Sequence, residues 1–141
     1  MDSTSTVVWQ GSVKKGQGKI TTESGVLKES VYTYGTRFED NPGTNPEELI
    51  AAAQAACFTM ATTDFLGESN VTPDSIRTVA KVTLSTEGNA PEVTKIHLDV
   101  TAKLPGDDKA AFEKAAQKAK ENCPISRLLN ADITMDTHVE S

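Results

Sequence analysis

Residues 45 to 66, NPEELIAAAQAACFTMATTDFL, fit one kind of element and few kinds of surroundings. Asn45 is a good N-cap, Pro46 suits a first helical position, and Glu47 and Glu48 put negative charge in the first turn. The stretch therefore predicts a helix with a well-marked start. Its apolar residues, from Leu49 and Ile50 through the alanines to Cys57, Phe58 and Met60, cover most of the circumference and are interrupted at Gln54. A helix of this kind needs cover on several sides.

At 141 residues the chain fits a single domain, 1–141, long enough to bury a core without disulfides or metal. Its net charge of −6 repels a phosphate backbone, and with 5% aromatic residues it has few platforms for stacking bases, so nucleic acid is not an expected partner. The N-terminus, MDSTSTVVWQ, lacks the basic and apolar regions of a signal peptide, and no eighteen uninterrupted apolar residues occur. The expected location is the cytoplasm, with no membrane partner. There the two cysteines, Cys57 and Cys123, are more naturally reduced or redox-active than a permanent bridge. They are too far apart for a C-x-x-C pair, and with the two histidines they give no metal-ligand spacing.

Taken in order, residues 6 to 12 and 17 to 22 read as a β-hairpin around Lys14-Lys15-Gly16, and residues 26 to 33 as a further strand. Asp40-Asn41-Pro42-Gly43-Thr44 is a loop that delivers the chain to the apolar helix, with Arg37 and Glu47 on either side of it. Beyond that helix, 76 to 84 and 93 to 104 alternate as half-buried antiparallel strands. Residues 108 to 121 form an amphipathic helix with Phe112, Ala115, Ala116 and Ala119 inward and its lysines solvated. Cys123-Pro124 restarts a short helix to Asn130, and a strand from 133 to 139 closes the chain. The expected fold is α+β, with antiparallel pairing throughout. One sheet covers one side of a helix, so the apolar helix is expected to take its second cover from another copy, in a two-fold homodimer.

Several side chains could carry chemistry. Cys57 reads as packing in an alanine-rich helix, whereas Cys123, next to a helix N-terminus, is the more reactive thiol on local physics. Arg37 alone reads as a solvated charge at a strand end, and Glu47 as a complement to the helix dipole. His97 and His138 are expected to be exposed, and no serine sits in a G-x-S-x-G turn.

Four segments together change that picture: GKITTESGVL (18 to 27), TRFE (36 to 39), GTNPEELIAAAQAACF (43 to 58) and CPIS (123 to 126). Across essentially the whole chain they resemble the OsmC/Ohr family of thiol-dependent peroxidases, and the first two favour its OsmC branch over the organic hydroperoxide resistance branch. The resemblance implies antiparallel sheets around a long buried central helix in an intertwined homodimer. It makes Cys57 the peroxidatic cysteine and Cys123 the resolving one, overruling the local preference. Arg37 and Glu47 become the polar pair that keeps Cys57 ionised and orients the peroxide. A buried thiol needs a cation to ionise, and Glu47 then serves mainly to anchor the guanidinium. The implied substrate is a hydroperoxide, organic or hydrogen peroxide itself, and the apolar Ala53, Ala56, Phe58, Met60 and Ala61 around Cys57 in the sequence would suit the hydrocarbon part of an organic one. No cofactor or metal is implied. An external thiol or dithiol must restore the enzyme, a lipoyl type being compatible with the resemblance.

Glu47 and Cys57 lie ten positions apart on one predicted helix, about 15 Å at 1.5 Å per residue. They cannot share a site within that helix. Antiparallel packing of two such helices would bring Glu47 of one chain toward Cys57 of the other, giving two sites per dimer. The alternative from another class is a non-catalytic stress protein that holds a small hydrophobic ligand at the same interface, with both cysteines as core residues. It leaves the coexistence of both cysteines with Arg37 and Glu47 without a reason.

Overall fold

The computed structural model describes residues 1–140; Ser141, the last residue of the expected domain, lies outside them. The chain forms two compact units whose boundary falls between Leu49 and Ile50. In the first unit, β1 (Ser5–Gln10) and β2 (Gln17–Thr22) form the expected antiparallel hairpin, and β3 (Ser30–Tyr32) pairs with the other edge of β2. Gly18 lies opposite both Trp9 and Tyr32, and a Cβ there would run into both rings. Its bareness lets the two aromatics meet edge to face, centroids 5.6 Å apart, across β2.

β3 is shorter than the strand expected over 26 to 33. The hydroxyls of Thr22 and Thr21 accept the backbone N–H groups of Leu27 and Glu29, and Gly25 and Glu29 both have positive φ. These local bonds compete with a sheet ladder and hold 25 to 29 as a turn. A second difference follows at once. Arg37 does not end a strand but sits on α1 (Tyr34–Phe38), one helical turn closed by a capping box in which the Thr33 and Thr36 hydroxyls each accept the other's backbone N–H.

Helix α2 (Pro46–Gly67) starts in the first unit as expected, with Asn45 Oδ1 accepting the Glu48 N–H at 2.8 Å. Within the second unit its buried positions are Gln54, Phe58, Thr62 and Leu66, one stripe at a spacing of four. The all-round burial expected of it is thus absent from the single chain, and Ala52, Ala53, Ala56 and Met60 are exposed. By length and composition α2 could also cross a membrane. Phe58 and Leu66, fully buried in a core with strand and helix residues, make it a core helix instead.

That core is built against β4 (Ser75–Ser85), β5 (Glu92–Lys103) and β6 (Asp132–Glu140), paired in that order. Alternation on β5 sends Ile96, Leu98, Val100 and Ala102 inward, all fully buried. Each of the larger ones contributes about 1.5–3 kcal/mol of transfer free energy. Phe112, Ala115, Ala116 and Ala119 of α3 (Lys109–Asn122) pack on the same core, as their spacing predicts. β4 and β5 are antiparallel, but β6 runs parallel to β5, which corrects the expectation of antiparallel pairing throughout. The reason is topological. Between β5 and β6 the chain crosses over through α3 and the short helix α4 (Pro124–Leu128), and a helical crossover returns a strand in the same direction. On the outer face of this sheet His97 pairs with Asp136 and His138 with Asp99, both at 2.8 Å, so the histidines face solvent as expected.

Candidate active site

In the first unit Asn45 joins two elements with one side chain. Its Oδ1 caps α2, and its Nδ2 donates to the Thr36 carbonyl of α1 at 3.2 Å. This places Arg37 beside Glu47. The guanidinium forks onto the carboxylate, Nε at 3.1 and 3.2 Å from the two oxygens and a terminal nitrogen at 2.7 Å from Oε1. Phe38 lies under the guanidinium, its ring centroid 5.2 Å from Cζ. Glu47 is nearly buried and Arg37 about a third exposed, so the charged fork is held from below with an open side. A guanidinium locked by a bidentate carboxylate keeps one orientation, which an oxyanion-binding group requires.

In the second unit the two cysteines, remote in sequence, come together. Cys123 is buried and is the N-cap of α4, its Sγ accepting the Ser126 N–H at 3.3 Å. Cys57, partly buried at the edge of the core, has the Cys123 side chain as a neighbour. Burial pushes the Cys57 thiol above its ordinary pKa; the Ile125 N–H, an amide of the first turn of α4, pulls the other way, and the Cys123 side chain raises it again. The balance is a thiol whose pKa is raised.

Two neighbours of this pair were not foreseen. Gln54, the polar interruption in the apolar run, is fully buried and donates from Nε2 to Ser126 Oγ at 2.8 Å; Ser126 Oγ lies 3.1 Å from Cys123 Sγ. A lone amide in an otherwise apolar helical stretch was the available signal for the first, and the last position of CPIS for the second.

A protein-family model described as OsmC-like protein matches residues 39–138. The chain belongs to the OsmC-like family. It is 48% identical to the peroxiredoxin OsmC of Escherichia coli K12 over 133 residues, 94% of this chain and 93% of that one. It is 30% identical to the organic hydroperoxide resistance protein OhrB of Bacillus subtilis over 121 residues, 84% and 88% of the two chains. The higher identity lies with the OsmC relative, in line with the segments at 18 to 27 and 36 to 39. The crystal structure of Bacillus subtilis OhrB superposes with a TM-score of 0.69 at 26% identity, covering 95% of this chain and 97% of that one. An OsmC-like protein from Vibrio cholerae reaches 0.78 at 16% identity, covering 97% and 99%, a likeness of fold alone.

Of the expected site residues in this OsmC-like chain, Arg37 pairs with Glu47 and Cys57 with Cys123, each pair complete within its own unit. The apolar surroundings expected for a substrate need one correction. Phe58 points into the core and is unavailable, while Ala56 and Met60 line an open groove of about 730 Å³ with Ala55, Thr59, Thr63 and Asp64. Among the described residues no group of three or more His, Cys, Asp or Glu side chains is arranged to hold a metal ion.

Proposed function

We propose that this protein is a thiol-dependent peroxidase that reduces organic hydroperoxides to alcohols, with Cys57 as the peroxidatic and Cys123 as the resolving cysteine. The observation that carries it is the contact between two thiols that the sequence keeps far apart. Names borne by the relatives, a peroxiredoxin and an organic hydroperoxide resistance protein, support the same reading. In the first half of the reaction the Cys57 thiolate attacks the outer peroxide oxygen. The O–O bond breaks, the alkoxide leaves and takes a proton to become the alcohol, and Cys57 becomes a sulfenic acid. Cys123 sulfur then attacks the Cys57 sulfur, the S–O bond breaks, and hydroxide leaves as water with the Cys123 proton. A cytoplasmic thiol or dithiol, of lipoyl type in one form of the proposal, reduces the disulfide by exchange.

Arg37 is proposed to supply the missing cation, and a homodimer to bring it there. Exposed apolar residues of α2, Ala52, Ala53, Ala56 and Met60, favour a second copy of the same helix as their cover. In the proposed arrangement each site combines Cys57 of one chain with the Arg37–Glu47 fork of the other.

The test is peroxide consumption with a dithiol reductant. Cys57→Ser is expected to abolish turnover, and Cys123→Ser to allow a single oxidation of Cys57, seen by mass as sulfenic or over-oxidised cysteine. Turnover by Cys57→Ser at the wild-type rate would reject the enzyme reading. A Cys57 that stays inert in Cys123→Ser would exchange the two roles.

A further inference from the structure

A chain of buried polar atoms runs from α2 to the second cysteine. Gln54 Nε2 donates to Ser126 Oγ at 2.8 Å, Ser126 Oγ lies 3.1 Å from Cys123 Sγ, and the Ser126 backbone N–H reaches the same sulfur at 3.3 Å. Gln54 is fully buried, and its Oε1 has no hydrogen-bond partner among the described residues. Tethering α4 to α2 would not require that arrangement, because a leucine at 54 would pack without leaving a buried acceptor orphaned. The orientation of the amide matters. Turned over, Oε1 would accept the serine proton and two N–H donors would be left unpaired, which folded proteins tolerate less well than an under-used carbonyl. With Nε2 toward Ser126, a lone pair of the hydroxyl is occupied, and its proton is free to point at Cys123. Accepting from Gln54 also strengthens Ser126 as a donor.

We propose that Gln54 and Ser126 are positioning residues for the resolving step, holding Cys123 sulfur by two donors, the Ser126 O–H and N–H, in the place from which it attacks oxidised Cys57. This rests on the peroxidase reading and assigns a role within it. Cys123 sulfur attacks the sulfenic acid as a thiolate, whose electron pair forms the S–S bond while the S–O bond breaks and hydroxide departs, with the Cys123 proton, as water. Two preorganised donors on that sulfur stabilise the thiolate from which the attack starts. Neither Gln54 nor Ser126 hydrogen-bonds Cys57, so the pair acts on the second half of the reaction and through Cys123.

The two halves can be read separately with one equivalent of an organic hydroperoxide and no reductant, following sulfenic acid formation and then disulfide formation by rapid quench and mass. Ser126→Ala removes one of the two donors to a charged sulfur and is expected to slow disulfide formation about tenfold, more than it slows sulfenic acid formation. With excess peroxide the same variant should divert Cys57 to sulfinic acid, and Ser126→Thr, which keeps the hydroxyl, should restore the wild-type ratio of disulfide to sulfinic acid. Gln54→Met, of similar volume, is expected to shift the ratio in the same direction as Ser126→Ala and repeats the test should that variant fail to fold. Wild-type partition in a folded Ser126→Ala or Gln54→Met would overturn the proposal. Failure of wild-type Cys57 to form sulfenic acid at all would overturn the peroxidase reading instead.

Discussion

Burial and the facing Cys123 side chain hold the Cys57 thiol protonated, and the Ile125 amide opposes them only in part. Because the folded pKa is raised, the native state keeps a proton at pH values where the unfolded chain has released it. The stability this contributes is present below the ordinary thiol range and is lost as pH rises through the folded pKa. Wild-type Tm is therefore expected to fall more steeply than that of Cys57→Ala between about pH 8 and about pH 10. Parallel curves would mean that the thiol is not shifted. In the proposed dimer the Arg37 guanidinium stands beside the other chain's thiol, and an opposite charge there favours ionisation, so Arg37→Met is expected to cut the rate of reaction with peroxide at neutral pH by about tenfold or more. Raising the pH should recover much of that loss, whereas a pH-independent defect would assign Arg37 to peroxide orientation alone.

Short elements decide where these side chains stand. Arg37 depends on α1, a single turn too brief for any hydrophobic period, and only the Thr33-x-x-Thr36 capping pair could have revealed it in the sequence. Thr33→Ala should cost about 1 kcal/mol and slow peroxide reduction in proportion to the loss of Arg37 placement. An unchanged rate with a lowered Tm would separate the cap from the site. Helix α2 was legible at once, since Asn45, Pro46 and Glu47 mark its start with residue types that have few other uses together. Alternation likewise exposed β4 and β5. The direction of β6 was not legible, because a period of two is the same in parallel and antiparallel strands and the crossover through α3 and α4 sets the direction. Residues 26 to 33 misled for a related reason: their β-prone types lose to the hydroxyls of Thr21 and Thr22, partners several residues away. Of the site, the cysteines, Arg37 and Glu47 were legible through four short segments. Gln54 and Ser126 were not, since what distinguishes them is a contact between α2 and α4.

For the whole molecule, the apolar circumference of α2 is the organising fact. One chain buries only the stripe through Gln54, Phe58, Thr62 and Leu66, and leaves Ala56 and Met60 open. In the proposed dimer a second α2 packed there antiparallel would offset the ten-residue gap between Glu47 and Cys57 and would supply each thiol with a cation from the other chain. That proposal couples fold, assembly and chemistry in one measurement. Arg37→Met and Cys57→Ser, each impaired as a homodimer, are co-expressed under different tags, and the doubly tagged species is assayed for peroxide reduction. One of its two sites then combines an intact Cys57 with an intact Arg37 from the other chain. The account predicts recovered activity approaching that of one wild-type site per dimer. A doubly tagged dimer no more active than its parents, or no such dimer at all, would contradict it.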